Sequence, residues 1–259
     1  MIWRIMGEPN FCQLYHDNNF GLSDRNAKSS KESGGKEHMV KAVFIDFYGT
    51  VVYEDGAVIK VVNQEIFDTG IAENTSEIGT YWWKEFQSAF MNSYGETFQT
   101  QRALEYQSLV NTIKNFGSTA DAEKLSNMMF DYWRKPPIFN ESKEFFEDCA
   151  VPIYIVSNID REDILKAIEF HGLKPAGIFT SEDAKSYKPR KELFELALNT
   201  TGLKTNEVVH IGDSLSSDIQ GANAVGINAI WVNRSFREVP EGVVSIENLM
   251  EAYDTEFFE

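Results

Sequence analysis

The sequence predicts an α/β fold in which a doubly wound parallel sheet is interrupted, after its first strand, by a helical insertion. The apolar run Val43-Phe44-Ile45 ends in the carboxylate of Asp46 and a turn, as a buried strand does. The residues that follow, up to about residue 135, carry helical periodicity. From residue 138 onward, short apolar runs alternate with segments of helix length, which implies right-handed crossovers between parallel strands.

The insertion is predicted from an aromatic stripe and from the point where the helical pattern stops. Aromatic side chains recur every four residues along one helix face, at Trp82, Phe86, Phe90 and Tyr94. Such a stripe favours a helical core, and the lining of a substrate pocket is the alternative. Pro136-Pro137 cannot continue a helix, so the chain is expected to return to the sheet there.

The segments after Pro137 predict the other strands and helices in order. Buried strands are predicted over residues 151–156, 178–180, 207–211 and 228–232, the last being the final strand. Helices are predicted over residues 161–171, 191–201 and 216–225. Each of these helices is followed by a glycine that can end it, namely Gly172, Gly202 and Gly226.

The predicted organisation has a discontinuous core and one insertion. Residues 39–57 and 136–259 are predicted to form the sheet-containing core, and residues 58–135 the helical insertion. Residues 1–38 are polar and show no sustained periodicity, so they are expected to be a disordered extension.

The composition narrows the range of partners. A formal net charge of -16 argues against nucleic acid and against anionic membrane surfaces. No apolar run approaches the roughly 18 residues that span a bilayer. Cys12 and Cys149 are the two cysteines and have no metal-ligand spacing, which favours a reducing, cytoplasmic location. An anionic substrate would need concentrated positive charge from a cation, a lysine or backbone N–H groups.

Polar residues follow the predicted strands at one end. Asp46 ends the first strand, Ser157-Asn158 the second and Asp213 the fourth, while Lys188 lies in the loop after the third. Because the carboxyl ends of parallel strands meet at one edge of a sheet, these residues are expected to converge on one crevice. A carboxylate at such an edge can act as a covalent nucleophile.

These motifs, in this order, resemble those of the haloacid dehalogenase (HAD) superfamily, specifically its first subfamily, which has a helical C1-type cap. The four motifs correspond to Asp46-Phe47-Tyr48-Gly49-Thr50, Ser157-Asn158, Lys188-Pro189, and the segment from Gly212-Asp213 to Asp218. The resemblance covers about residues 39–233 and implies a Rossmann-like core with the insertion as a cap.

The resemblance also implies a reaction and a set of site residues. In the phosphatases of this superfamily the first aspartate forms an aspartyl phosphate, and Mg²⁺ neutralises the phosphoryl charge. Transferred to this sequence, the catalytic residues are Asp46, Tyr48, Ser157 and Lys188. The residues that bind a small phosphorylated substrate are Ser157, Asn158 and Lys188. The metal site comprises Asp46, the backbone carbonyl of Tyr48, Asp213 and Asp218.

Tyr48 departs from the phosphatase pattern, in which a second aspartate usually occupies this position. A tyrosine with a pKa near 10 is a poor base, so slow hydrolysis of alkyl phosphates is expected. The metal-independent 2-haloacid dehalogenases of the superfamily carry tyrosine here. They lack the acid corresponding to Asp213, however, and have a tyrosine where this chain has Phe194. A Mg²⁺-dependent phosphatase is therefore favoured, with a dehalogenase or a low-activity binding or regulatory protein as alternatives.

Overall fold

A computed structural model describes residues 40–258, which form a six-stranded parallel sheet in the order β3-β2-β1-β4-β5-β6. The strands are β1 (Ala42–Ile45), β2 (Ile153–Ser157), β3 (Gly177–Thr180), β4 (Val208–Gly212), β5 (Asn228–Val232) and β6 (Val244–Ile246). The strand order changes direction at β1, so the predicted doubly wound parallel sheet is confirmed. The predicted disorder of residues 1–38 concerns a segment outside the described residues.

Strand β1 lies at the centre of the sheet. All of its residues are buried, and Val43 is in register with Ile153 of β2 and Val209 of β4. The backbone N–H of Asp46 donates to the carbonyl of Ile211 at 2.9 Å, which continues the ladder one residue beyond β1. The sheet thereby holds Asp46 at the edge where ligands bind in open α/β folds.

The prediction that residues 228–232 form the final strand is wrong, because β6 follows that strand in the chain. It pairs in parallel with β5, with Ile230 opposite Val244 and Val232 opposite Ile246. A strand of only three residues is too short to display an alternating pattern in the sequence. Its conformation depends on the neighbouring strand, which supplies the hydrogen bonds.

Four helices occupy the segment after β1: α1 (Gly56–Thr69), α2 (Thr75–Met91), α3 (Gln101–Asn115) and α4 (Ala122–Arg134). The helical character predicted for this segment is therefore observed, while its division from the core at residues 58 and 135 remains a prediction. Side chains of Asn74, Thr100 and Asp121 accept hydrogen bonds from backbone N–H groups at the beginning of α2, α3 and α4. No helix among residues 40–258 combines the length and apolar character required to cross a membrane.

A further helix, α5 (Ser142–Asp148), leads into β2. The helices that follow β2 are α6 (Arg161–His171), α7 (Ser181–Ala184), α8 (Glu192–Thr201) and α9 (Gly221–Ala224). The helix predicted over residues 216–225 differs, because a π-helical turn, Leu215–Gln220, precedes α9. The carbonyl of Ser214 accepts from the N–H groups of both Asp218 and Ile219, at 3.0 and 3.2 Å. Hydrogen bonds four and five residues along the chain widen this turn.

Two buried carboxylates fasten the insertion to the core. Asp160, just before α6, accepts from the backbone N–H groups of Gln101 and Arg102 at 2.7 and 3.0 Å, at the beginning of α3. Asp163, within α6, accepts from the guanidinium groups of Arg102 and Arg134, with Nε–Oδ distances of 2.6 and 3.0 Å. These charge-assisted bonds position the insertion over the strand ends.

Replacement of Asp160 by asparagine is expected to change how stability depends on pH. Burial raises the pKa of Asp160 from 3.8 to about 6. The folded protein therefore binds this proton more tightly than the unfolded chain. The associated stabilisation is complete below the unfolded pKa and is lost as the pH rises through the folded pKa.

Urea unfolding of the wild type and Asp160→Asn at several pH values from about 3.5 to about 7 tests this expectation. The wild-type free energy of unfolding, minus that of the variant, should fall as the pH rises across this range. The asparagine oxygen still accepts one backbone N–H, so both proteins should fold. A constant difference across the range would show that Asp160 does not titrate as expected.

Candidate active site

The structure brings all the sequence-predicted site residues to one crevice at the carboxyl ends of β1, β2 and β4. These residues are Asp46, Tyr48, Ser157, Asn158, Lys188, Asp213 and Asp218. The insertion closes one side of the crevice with Phe86, Phe90 and Gln101, and Glu54 lines it just before α1. Residues that are far apart in the sequence thus converge, as the parallel topology requires.

Asp46 is held by two donors, one at the end of β2 and one in the loop after α7. Its Oδ1 accepts from the hydroxyl of Ser157 at 3.0 Å and from Nζ of Lys188 at 2.8 Å, and the residue is 7% exposed. Burial raises the pKa of Asp46, and the attraction of Lys188 opposes this shift only in part. A further positive charge beside Asp46 would therefore favour the ionised form that a nucleophile requires.

Lys188 joins two carboxylates in the interior. Its Nζ donates to Asp46 Oδ1, to Asp218 Oδ1 at 2.6 Å and to the carbonyl of Val156 at 2.8 Å. Burial alone would lower the pKa of Lys188, but the charges of Asp218 and Asp46 raise it above the ordinary value. Lys188 is therefore protonated at neutral pH, and these three acceptors match its three N–H groups.

Asn158 orients Lys188 through the backbone. Its side-chain Oδ1 accepts from the N–H of Lys188 at 2.8 Å, and its Nδ2 donates to the carbonyl of the same residue at 3.0 Å. The amide group of Asn158 is thus bonded to the Lys188 loop. The predicted contact between Asn158 and a substrate remains a prediction.

Asp218 is enclosed by donors. Its Oδ1 accepts from Lys188 and from Nε2 of His210 at 3.0 Å, and its Oδ2 accepts from the N–H of Ser214 at 3.0 Å. Burial would raise the pKa of Asp218, but Lys188 and His210 outweigh it and keep the pKa below its ordinary value. Burial lowers the pKa of His210, so a neutral imidazole supplies this bond. These contacts make Asp218 well suited to orient Lys188.

Glycines allow two of the aspartates to approach the backbone. Gly49 has φ +92°, and a Cβ at this position would lie 2.5 Å from Oδ2 of Asp213. A Cβ at Gly212 would lie 2.3 Å from Cγ of Asp218. Any larger residue would displace these carboxylates, which gives both glycines of the motifs a physical role.

Asp46, Asp213 and Asp218 form an aspartate cluster, in which one carboxylate oxygen of each residue lies within 4.8 Å of the other two. Oδ1 of Asp213 also accepts from the hydroxyl of Thr50 at 3.2 Å. Among the described residues that line the crevice, Lys188 is the only lysine or arginine. Three carboxylates beside one ammonium group leave excess negative charge, and oxygen ligands suit a hard divalent cation. The residues therefore fit Mg²⁺.

Tyr48 connects the first motif to the insertion. Its hydroxyl donates to the carbonyl of Trp133, near the end of α4, at 2.7 Å, and the side chain is buried. Burial, with a smaller contribution from Asp163, raises the pKa of Tyr48 well above 10. At neutral pH the phenol therefore keeps its proton and directs it to a backbone carbonyl.

Tyr48→Phe is expected to reduce stability more than activity. The variant keeps the ring but leaves the buried carbonyl of Trp133 without this donor, which costs about 1–2 kcal/mol. Urea unfolding should detect that loss, while kcat/KM for an aryl phosphate should stay within about threefold of the wild type. Tyr106→Phe, at an exposed tyrosine of α3, is the matched control. A hundredfold loss of activity at unchanged stability would instead identify Tyr48 as a proton donor.

The contribution of the insertion to the crevice was only partly visible in the sequence. The aromatic stripe indicated Phe86 and Phe90, which are both buried in the core and line the crevice. Tyr94, which the predicted stripe also included, lies beyond the end of α2, and its side chain is exposed. Glu54 and Gln101 belong to no motif, because their position in the crevice depends on how the insertion packs against the sheet.

The sequence is similar to known hydrolases. The family model of the haloacid dehalogenase-like hydrolases matches residues 40–226 of the sequence. A phosphoserine phosphatase of Thermus thermophilus is 27% identical over 133 residues, which are 48% of this chain and 53% of that protein. (S)-2-haloacid dehalogenase 4A of Burkholderia cepacia is 22% identical over 207 residues, 75% of this chain and 84% of that protein. The chain spans about half the length of the first curated relatives that it matches.

The fold is also similar to that of solved structures. YfnB from Bacillus subtilis, a HAD-hydrolase whose structure contains magnesium, superposes with a TM-score of 0.67 at 21% identity. The superposition covers 83% of this chain and 98% of YfnB. The family match spans residues 40–226 and includes Asp46, Ser157, Lys188 and Asp213, and the chain therefore belongs to the haloacid dehalogenase-like hydrolases.

Proposed function

We propose that this hydrolase is a Mg²⁺-dependent phosphatase that acts on small phosphate monoesters. The observation that carries the proposal is the aspartate cluster beside a single lysine. A buried excess of negative charge repels a phosphate unless a cation compensates it. Similarity to a phosphoserine phosphatase and to the magnesium-containing YfnB supports this choice.

In the proposed reaction, Asp46 attacks the phosphorus atom of the substrate. A bond forms between a carboxylate oxygen and phosphorus while the bond to the leaving oxygen breaks, and that oxygen takes up a proton from solvent water. Water then attacks the aspartyl phosphate, which releases inorganic phosphate and regenerates Asp46. Ser157 and Lys188 orient the carboxylate, and Lys188 also favours its ionised state.

The proposed metal ligands are Asp46, Asp213 and the backbone carbonyl of Tyr48, with Asp218 at the same cluster. Bound Mg²⁺ would supply electrostatic stabilisation of the transferring phosphoryl group. Lys188 already donates to three protein acceptors, so it would act on the phosphate mainly through its charge. The insertion, residues 58–135, would act as a cap that excludes water from the core, residues 39–57 and 136–259. We also propose that the protein is located in the cytoplasm.

A dehalogenase is the second candidate, because Tyr48 and the similarity to a haloacid dehalogenase favour it. Two residues weigh against it. Asp213 keeps its carboxylate beside Asp46. Phe194 is fully buried and packs edge-on against His210, with ring centroids 5.1 Å apart, and it does not line the crevice.

A substrate panel with and without Mg²⁺ tests the proposal. Hydrolysis of p-nitrophenyl phosphate, whose leaving group needs little protonation, should depend on Mg²⁺ and stop with a chelator. Asp213→Asn should raise the Mg²⁺ concentration needed for half-maximal rate. Halide release from 2-chloropropionate in the presence of chelator would support the dehalogenase instead. Metal binding without turnover of either substrate would support a binding or regulatory protein.

A further inference from the structure

The chain that ends β5 and leaves the sheet, residues 231–237, contacts the backbone of two motifs of the candidate site; we call it the β5 exit segment. The segment follows residue 226, at which the family match ends. The side chains that make these contacts are Trp231, Arg234 and Arg237. The structure describes the whole segment, and none of its residues lines the crevice. Any influence of the segment on the site must therefore act through other residues.

Trp231 fixes the backbone of Asp213. It lies opposite Gly212 in the parallel pairing of β4 and β5, and its fully buried indole Nε1 donates to the carbonyl of Asp213 at 2.8 Å. The guanidinium of Arg237 adds a longer contact of 3.4 Å to the same oxygen and lies 4.8 Å from the centre of the Trp231 ring. These bonds restrict the backbone rotation that would turn the carboxylate of Asp213 out of the aspartate cluster.

Arg234 fixes the backbone of Thr50, a residue that in turn holds the carboxylate of Asp213. The guanidinium donates to the carbonyl of Thr50 at 2.6 Å, and the hydroxyl of Thr50 donates to Oδ1 of Asp213 at 3.2 Å. Arg234 is itself held by an ion pair with Glu141 at 2.8 Å and by the ring of Phe139, whose centre lies 3.5 Å from the guanidinium carbon. Both the backbone and the carboxylate of Asp213 are thus restrained by the β5 exit segment.

The aspartate cluster needs such restraints because its carboxylates repel one another. Three carboxylates share the site with one ammonium group among the described lining residues, which leaves excess negative charge until a cation binds. Repulsion of this kind favours conformations in which a carboxylate turns away from the other two. Restraints that hold the carboxylates together beforehand leave less ordering for the cation to impose, so they raise the affinity for it.

We propose that Trp231 and Arg234 are positioning residues that hold Asp213 in place for Mg²⁺ and thereby set the affinity of the metal site. The inference rests on the proposed Mg²⁺-dependent function, and it extends the determinants of metal binding beyond the four motifs. Both residues act through backbone carbonyls, so their replacement should weaken metal binding without removing a metal ligand.

Isothermal titration of the full-length protein with Mg²⁺ tests the role of Trp231. Trp231→Phe keeps an aromatic ring but lacks the N–H donor, and it should raise the Kd for Mg²⁺ about tenfold. Trp82→Phe is the matched control, because the indole of Trp82 is also fully buried and donates to Ser108 within the insertion. Both variants lose a buried indole hydrogen bond, but only Trp231→Phe should change the Kd.

Arg234→Lys tests the second restraint at constant charge. Lysine keeps the positive charge but cannot reproduce the planar fork that bonds a carbonyl and a carboxylate together. The Kd for Mg²⁺ should rise about threefold to tenfold. Arg161→Lys is the matched control, since Arg161 also joins a backbone carbonyl, that of Ile178, to a carboxylate, that of Asp183, away from the crevice. This control should leave the Kd unchanged.

Kinetics separate weaker metal binding from general damage to the site. Activity that Trp231→Phe and Arg234→Lys lose at low Mg²⁺ should be recovered at saturating Mg²⁺, because the metal ligands are still present. A Kd for Mg²⁺ that neither variant alters would overturn this inference alone. If the wild type binds Mg²⁺ but hydrolyses no phosphate monoester, the phosphatase proposal fails, while the Kd values still decide the inference. Absence of Mg²⁺ binding by the wild type would overturn both.

Discussion

Asp46→Asn is expected to lower kcat/KM for p-nitrophenyl phosphate by about 10⁴-fold or more, because an amide cannot form the aspartyl phosphate. The substitution nearly preserves shape, and the asparagine oxygen can still accept from Ser157 and Lys188. The free energy of unfolding should therefore change far less than the rate. Steady-state kinetics and urea unfolding on the same preparations separate the two effects.

Rapid acid quenching during turnover identifies the reacting group. The wild type should retain phosphorus bound to the peptide that contains Asp46, and the Asn variant should retain none. Asp148→Asn, at an exposed aspartate of α5 that does not line the crevice, is the control for loss of a carboxylate outside the site. Undiminished turnover in Asp46→Asn would reject Asp46 as the nucleophile.

Lys188→Met is expected to produce the largest loss of stability. The methionine fills a similar volume but leaves Asp46 and Asp218, both buried, without the ammonium that joins them. Removal of one partner from a buried ion pair costs about 3–5 kcal/mol. Urea unfolding at neutral pH measures this loss, and phosphatase activity should fall with it.

The pH dependence of that loss follows from the pKa of Lys188, which is raised above 10.5 in the folded protein. A lysine whose pKa is raised contributes its full stabilisation below the unfolded pKa and loses it only as the pH rises through the folded value. The deficit of Lys188→Met should therefore be present at neutral pH. It should shrink in acid, where protonation removes the unpaired charges of Asp46 and Asp218.

A second substitution supplies the control for the lysine variant. Lys188→Met combined with Asp218→Asn removes one of the two unpaired carboxylates. The double variant should therefore be more stable than Lys188→Met alone, and the two changes should not be additive. A cost below about 1 kcal/mol for Lys188→Met would mean that the ion pairs contribute little.

The sequence determined the fold class and the composition of the candidate site. Each motif is local: a buried apolar run, a polar residue at its end and a turn or helix that follows. Parallel topology then brings Asp46, Ser157, Lys188 and Asp213 to one edge, so their convergence could be inferred without coordinates. Strand β6 escaped prediction because three residues are too few for a periodic signal.

Only the tertiary structure decided how the side chains pair. The hydroxyl of Tyr48 bonds to Trp133, 85 residues away, and thereby belongs to the contact between the first motif and the insertion. Asp218 is surrounded by Lys188, His210 and Ser214, which suits it to hold the lysine. Such partners are selected by packing between distant segments, whereas the periodicity of a sequence reports only which face of an element is buried.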